Sequence, residues 1–243
     1  MREPAIPEAR TALLDVAALL LRGAVLACCL LGGAYAQEPE ALGEDVTTRV
    51  DAADAAADYA EPAALIEHLH ETLLSVMRNA DEFGYSGRYA ALEPVITTGF
   101  DTPLIVKVIL SRHWSELNAQ QQTDFVALFR RLSVATYASR FTGYDRESFV
   151  EVSREPLNRG RLLIKTELRH PERKPVRLDY LMHRAEDGKW RIISVIANGV
   201  NDLSLKRAEY AVVIKERGFD ALVSDIGNKI NDMERGKPGP GAL

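Results

Sequence analysis

The spacing of apolar residues predicts helices in the first part of the region after residue 62. From Ala63 to Arg78 apolar side chains recur at helical spacing, and Tyr85–Ile96 forms a second, shorter pattern of this kind. Asp101-Thr102-Pro103 predicts a helix start, because aspartate caps helices and proline suits their first turn. Asn118 and Gln121 have capping-box spacing. The helix after them presents one apolar face, made of Phe125, Leu128, Phe129 and Leu132.

The pattern changes to alternation near residue 147, which indicates β-strands. Short turns separate the strands, and Asp187-Gly188 is a strong hairpin signal. Two closing helices follow, Ser204–Arg217 and Asp220–Ile230. The sequence therefore predicts an α+β class, with helices packed on a curved four-stranded antiparallel sheet. The four predicted strands are Ser148–Arg154, Arg161–Arg169, Val176–Arg184 and Trp190–Ala197.

The N-terminal residues have the features of a secretory signal. Gly23–Gly33 is an uncharged apolar run preceded by Arg22 and followed by Ala34-Tyr35-Ala36. We predict a signal peptide over residues 1–36; an uncleaved anchor and a lipoprotein site at Cys28 are the alternatives. The run is too short to span a bilayer alone. Both cysteines, Cys28 and Cys29, lie in this segment, so its removal excludes disulfides and thiolate chemistry.

An acidic stretch separates this segment from the folded part. Residues 37–62 hold eight acidic residues and one base, and they carry few large apolar residues, so we predict a solvated linker. The linker accounts for −7 and residues 1–36 are neutral; since the net charge is −5, residues 63–243 carry +2. A net charge of −5 on the whole chain does not suggest a nucleic-acid partner. The predicted folded domain is 63–233, followed by a tail, 234–243.

Common catalytic and metal-binding signatures are missing from the sequence. It holds no phosphate-binding glycine loop, no nucleophile elbow and no histidine pair at metal-ligand spacing, so we expect no cofactor and no metal. Asp179, in the middle of a strand, allows two interpretations. It is a general base if it faces an apolar cavity that raises its pKa, or a sheet-surface carboxylate paired with Arg177 or Arg191, and we favour the second.

Two further patterns concern surface charge and the interior. Arg154–Arg177 carries eight bases, which describes either a solvated strand face or a surface attracted to anionic headgroups or acidic partners. The predicted sheet also has more aliphatic side chains than one buried face needs. Two covered faces without a cavity, or a sheet curled around an apolar pocket, explain this equally well from pattern alone.

The C-terminal two thirds resemble the Mla-type periplasmic phospholipid-binding proteins, also called the toluene-tolerance family. The resemblance covers roughly residues 63–231. It rests on the order and spacing of several segments. The sequence of residues 199–207 is most similar to the hopanoid-associated branch, HpnM. The segments are Gln120–Phe125, Pro175–Tyr180, Trp190–Val200, Leu205–Tyr210 and Arg217–Leu222.

The resemblance implies a periplasmic, non-enzymatic lipid carrier. Its cargo would be phospholipid or hopanoid, exchanged with an inner-membrane ABC-type transport complex and, in the Mla branch, an outer-membrane lipoprotein complex. An isomerase-like enzyme that uses Asp179 and a ligand-free interaction module are the alternatives. Positions near Lys174 and Arg177 are candidates for the pocket mouth. The candidate lipid-binding residues are Leu104, Val108, Phe125, Phe129, Ile164, Leu178, Tyr180, Met182, Ile192 and Ile196.

Overall fold

A computed structural model describes residues 59–236, and within them six α-helices pack with one antiparallel sheet. Four helices precede the sheet and two follow it, which confirms the predicted α+β class. A 3₁₀ turn, Ser111–Glu116, joins the third helix to the fourth. The helices are α1 Ala60–Arg78, α2 Ala80–Gly99, α3 Thr102–Leu110, α4 Ala119–Arg140, α5 Asp202–Arg217 and α6 Phe219–Glu234.

The sheet is an antiparallel meander whose strands lie in chain order. It contains one strand more than predicted, because Val200–Asn201 pairs with Ala197 and Ile196 through only two residues, too few to produce an alternating pattern. Bulges interrupt the pairing, one of them between Glu151 and Ser153. The strands are β1 Ser148–Leu157, β2 Arg161–His170, β3 Arg173–Arg184, β4 Trp190–Ala197 and β5 Val200–Asn201.

The predicted helix starts are confirmed by their hydrogen bonds. The Leu104 N–H donates to Oδ1 of Asp101 at 3.0 Å, and Pro103 occupies the first turn of α3. Asn118 and Gln121 form the reciprocal capping box at the start of α4. α2 is longer than predicted and bends at Gly84, whose φ of +56° is a backbone conformation that glycine adopts at little cost.

Two apolar cores form, and they share few secondary-structure elements. The first lies between the inner face of the sheet and helices α1, α2 and the second half of α4, and includes Leu69, Leu73, Tyr180 and Met182. The second is entirely helical and lies among α3, α4, α5 and α6, with Phe125 at its centre. The ring of Phe125 packs 5.3 Å from Phe219 and 6.5 Å from Tyr210, measured between ring centroids.

Several predicted segments fall wholly or partly outside the described residues. The signal segment 1–36 lies outside them, as do residues 37–58 of the linker and residues 237–243 of the tail. The described end of the linker is helical, because α1 begins at Ala60. Tyr59, just before α1, packs edge-on against Trp190 at 6.5 Å between ring centroids. None of the helices described between residues 59 and 236 combines the length and apolar character that a membrane span requires.

Candidate functional site

A cavity lies where the two cores meet. The cavity has a volume of about 150 Å³ and is partly open to solvent. The sheet, α1, α3, α4 and the start of α5 all contribute to its wall. The apolar lining consists of Leu73, Phe100, Ile105, Phe129, Leu132, Tyr137, Phe141, Leu168, Val176, Leu178, Tyr180, Ile193, Val195, Ala197 and Leu203.

The segment between α2 and α3 fixes one wall of the cavity to the sheet. Phe100 forms a parallel bridge with Ile192, and the Asp101 N–H donates to the Ile192 carbonyl at 3.0 Å. Asp101 Oδ2 lies 2.8 Å from His183 Nε2 on β3. Asp101 therefore both caps α3 and binds it to the sheet, which places Ile105 in the cavity wall.

The wall against the sheet contains a buried pair of polar groups. The Tyr180 hydroxyl lies 3.0 Å from Nε2 of His70 on α1. The His70 ring stacks on Phe149 at 3.9 Å between centroids. Burial lowers the pKa of His70 to about 4 and raises the pKa of Tyr180 well above its usual value, so both groups are neutral at pH 7. The inner wall therefore presents no charge to the cavity.

Polar groups collect on one side of the cavity, which we call the rim and define as Ser133, Thr136, Arg140, Asp202 and Lys206. The two hydroxyls are occupied locally, because they donate to backbone carbonyls of α4 at 3.0 and 2.7 Å. Lys206 Nζ donates to Asp202 Oδ1 at 2.8 Å. The side chain of Asp202 is 44% exposed and that of Lys206 is 26% exposed, so the rim is where the cavity meets solvent.

Three of the ten predicted lining residues lie in the cavity wall: Phe129, Leu178 and Tyr180. The other seven do not. Leu104 and Ile196 are half-buried elsewhere, and Val108 is 42% exposed on the surface of α3. Phe125 belongs to the helical core, and Ile164, Met182 and Ile192 are fully buried in tight packing against α1 and α2. These seven residues do not line this cavity, and a lipid-binding role for them stays a prediction.

Sequence reasoning missed most of the cavity wall for a physical reason. Leu73 and Leu132 fall in apolar helical patterns of the sequence, but apolar periodicity does not distinguish a wall from a packed core. The alternating pattern of β4 could not place Ile193 in the wall, because Ile193 is the extra residue of a β-bulge. On either side of it, Ser194 pairs with Leu181 and Ile192 pairs with Met182.

Asp179 is buried but lies outside the cavity lining. It is 2% exposed, and its Oδ2 accepts from Arg177 Nη2 at 3.0 Å, so the predicted pairing with Arg177 is correct and the predicted surface position is wrong. Lys174 and Arg177 themselves lie outside the lining, although Val176 between them lines the cavity, and the rim is a second candidate for the mouth. Across residues 59–236 no group of three potential metal ligands comes together.

The basic strand region predicted from Arg154 to Arg177 is largely paired with neighbouring acids. Arg154 binds Glu151, Lys165 binds Glu155, and Arg169 binds Glu167. These are the contacts of a solvated strand face, which was one of the two interpretations of this run.

Comparison with known proteins identifies a family and a fold relative. Residues 67–228 match the sequence model of the family described as MlaC protein. A solved structure of a phospholipid-binding protein from Ralstonia solanacearum, in complex with a phospholipid, is similar in fold, with a TM-score of 0.63 and 17% sequence identity. The match covers 72% of this chain and 99% of that chain.

Proposed function

Because this chain belongs to the MlaC protein family, we propose that it is a lipid carrier that holds acyl chains in the cavity between its two cores. The observation that carries the proposal is the cavity itself: an apolar hollow with a neutral inner wall and a charged rim at the solvent side. Lipids have the same division, with apolar tails and a polar headgroup. The phospholipid bound by the Ralstonia protein of similar fold supports a phospholipid as cargo.

The physical need for such a carrier follows from the cost of exposing acyl chains to water. Each methylene contributes about 0.8 kcal/mol on burial, so a chain of about 16 carbons loses on the order of 10 kcal/mol when it enters water. Free diffusion between membranes is therefore negligible for such a lipid. A protein that surrounds the tails with Leu178, Phe129 and Val195 removes this penalty during transit.

The proposal extends to location and partners. The predicted signal segment 1–36 and the family support export to the periplasm, with cargo passed to or from an inner-membrane ABC-type transporter and an outer-membrane lipoprotein complex. Hopanoid is the alternative cargo.

A binding role is favoured over the enzyme alternative. Asp179, the candidate base, lies outside the cavity lining and pairs with Arg177. The other alternative, an interaction module with a solid core, is disfavoured by the cavity.

Mass spectrometry of lipids that co-purify with the exported protein tests the proposal. We expect lipid in the wild type and none in Leu178→Arg, because an arginine there places a charge in the cavity. Leu203→Arg makes the same test at a half-buried position that tolerates the larger side chain more easily.

Ile196→Arg is the matched control, because Ile196 is half-buried on a neighbouring strand and lies outside the cavity lining. It should retain its lipid. Absence of lipid from the wild type after reconstitution with vesicles, or full lipid content in both cavity variants, refutes the proposal.

A further inference from the structure

Basic side chains collect at one end of the sheet, where two turns lie side by side. The turn between β1 and β2, residues 157–161, holds Arg159 and Arg161 and no acid, and both arginines are exposed. The hairpin between β3 and β4, residues 184–191, holds three bases and two acids. With two bases in one turn and three bases against two acids in the other, the net charge is +3. We call these two turns, 157–161 and 184–191, the basic end.

The two turns present their bases on the same face of the sheet. Arg161 on β2 pairs with His183 on β3, which in turn pairs with Arg191 on β4. Cross-strand partners share a face, and two strand spacings amount to about 10 Å. A ligand that lies across this face therefore reaches the bases of both turns at once.

Three bases of the basic end make no ion pair within the described residues. Arg191 is not one of them, because its Nη2 lies 2.6 Å from Oδ2 of Asp187. Between residues 59 and 236 no carboxylate forms an ion pair with Arg159, Arg161 or Lys189. All three side chains belong to exposed residues. The basic end is therefore a cationic surface that attracts anionic groups.

The acidic stretch of the chain joins the folded part at this same end. Residues 37–58 hold seven acids and one base, so their net charge is −6. They lead directly to Tyr59, whose ring packs on Trp190, the first residue of β4. The Tyr59 carbonyl also accepts from Arg154 Nη1 at 3.3 Å. These contacts place the attachment point of an anionic segment beside a cationic surface.

We propose that residues 37–58 dock on the basic end and shield it from other anionic surfaces. The covalent connection at Tyr59 favours this occupant over a separate molecule, because it keeps the segment at roughly millimolar effective concentration. The 22 residues are long enough, since an extended chain of that length spans about 70 Å. Their charge of −6 exceeds the +3 of the two turns, so the docked segment makes this surface anionic.

The expected strength of docking follows from the number of cations that it pairs. One exposed ion pair is weak, so docking depends on several pairs formed together. We expect the three unpaired cations to favour the docked state about tenfold at low salt. At about 1 M salt the screening length falls to about 3 Å, and the preference should disappear.

Zero-length carbodiimide cross-linking of the intact exported protein tests the docking, because this reagent joins carboxylates only to amines in contact with them. Lys189 reports the basic end, and Lys174, exposed at the opposite end of β3, is the internal reference. Peptide mass spectrometry measures the cross-links from residues 37–58 to each lysine. We expect about tenfold more cross-linking at Lys189 than at Lys174 at low salt, and a much smaller ratio at about 1 M salt.

A pair of charge variants separates docking from the mere nearness of the attachment point. Arg159→Gln with Arg161→Gln removes two cations and leaves Tyr59 in place, so the ratio should fall at least threefold. Lys107→Gln with Arg131→Gln removes two exposed bases from the helices and is the matched control. The control should keep the wild-type ratio.

Sedimentation with phosphatidylglycerol vesicles tests the shield. The triple variant Asp51→Asn, Asp54→Asn and Asp58→Asn weakens docking, so it should bind these vesicles about tenfold more tightly than the wild type at low salt. Phosphatidylcholine vesicles, which carry no net charge, should show no such gain.

The matched control changes the net charge of the protein by the same amount elsewhere. Glu67→Gln, Glu71→Gln and Glu93→Gln remove three exposed carboxylates from α1 and α2. This variant should bind the anionic vesicles much less tightly than the aspartate variant.

Each measurement has an outcome that overturns the proposal. Equal cross-linking of Lys189 and Lys174 at low salt, or a ratio that the arginine variant leaves unchanged, rules out docking on the basic end. Cross-links that form only between isotope-labelled and unlabelled copies assign the segment to a second copy of the chain. Equal gains in vesicle binding by the aspartate and glutamate variants rule out the shield. None of these outcomes bears on lipid content, so the carrier function is tested independently.

Discussion

The two ends of the inner face of the sheet serve different purposes. At one end Leu162, Ile164, Met182 and Ile192 are completely buried and pack against α1 and α2. At the other end Leu168, Val176, Leu178 and Ala197 face the cavity. Both ends use apolar residues of β2, β3 and β4, and on β2 and β3 these residues follow one alternating pattern. The difference lies in what covers them, since the second end lies at the junction of two cores that leave a space between them.

The largest effect is expected from a matched pair of truncations on β2. Ile164→Ala removes side-chain volume from the closed end, and we expect it to destabilise the protein by about 2–5 kcal/mol. Leu168→Ala widens a space that is already open, so its cost should be lower by about 1–2 kcal/mol. Urea unfolding measures both free energies. Equal losses contradict the distinction between the closed and the open end.

An effect of pH is expected at the boundary between the two ends, where His70 meets Tyr180. The pKa of His70 is about 4 in the folded protein and about 6.5 when unfolded, so the unfolded state takes up the proton first as pH falls. Its contribution is fully present above pH 6.5 and is lost between pH 6.5 and 4, by on the order of 3 kcal/mol.

Comparison of wild type with His70→Leu by denaturant unfolding at several pH values isolates this contribution. Carboxylates elsewhere titrate in both proteins, so the difference between the two curves reports His70. Parallel curves from pH 7 to pH 4 would show that protonation of His70 does not oppose folding.

A smaller effect is expected where α3 is fixed against the sheet. Asp101→Ala removes the cap of α3 and the contact with His183, and a lost N-cap costs about 1 kcal/mol. We expect this loss in thermal unfolding, together with faster lipid release, because Ile105 in the cavity wall depends on α3. Asp101→Asn keeps the cap and serves as the control. Unchanged stability in Asp101→Ala would show that α3 is held by its packing alone.

The smallest effect is expected at Val108, on the exposed side of α3. Val108→Thr should change the free energy of unfolding by less than about 0.5 kcal/mol, because the side chain is 42% exposed. Lipid content should stay at the wild-type value. A loss of lipid here would place a functional surface outside the cavity.

The class and element order were predictable because they depend on local patterns. A few adjacent residues determine each helix cap and each tight turn. The structure confirms the predicted caps at Asp101 and Asn118 and the predicted turn at Asp187-Gly188. The alternation of Leu178, Tyr180 and Met182 also assigned them correctly to one buried face. Among the strands, only β5 was not predicted, because two residues are too few to show an alternating pattern.

The cavity was less predictable, because it depends on distances between elements. Met182 and Leu178 are indistinguishable in the sequence, yet the first is packed and the second lines the open space. Phe125 and Phe129 lie one helical turn apart, and only Phe129 reaches the cavity. The rim was overlooked because Arg140 on α4 lies far along the chain from Asp202 and Lys206 on α5, and the two groups meet only when α4 and α5 pack.

The bulge between Glu151 and Ser153 lies on β1, the strand that ends the sheet. A regular outermost strand exposes a row of peptide groups onto which another molecule can add a strand of its own. The extra residue breaks that row, and the ion pair between Arg154 and Glu151 adds charges that an incoming strand would have to desolvate. This edge of the sheet is therefore a poor template for the addition of strands from other molecules, the step by which fibrils grow.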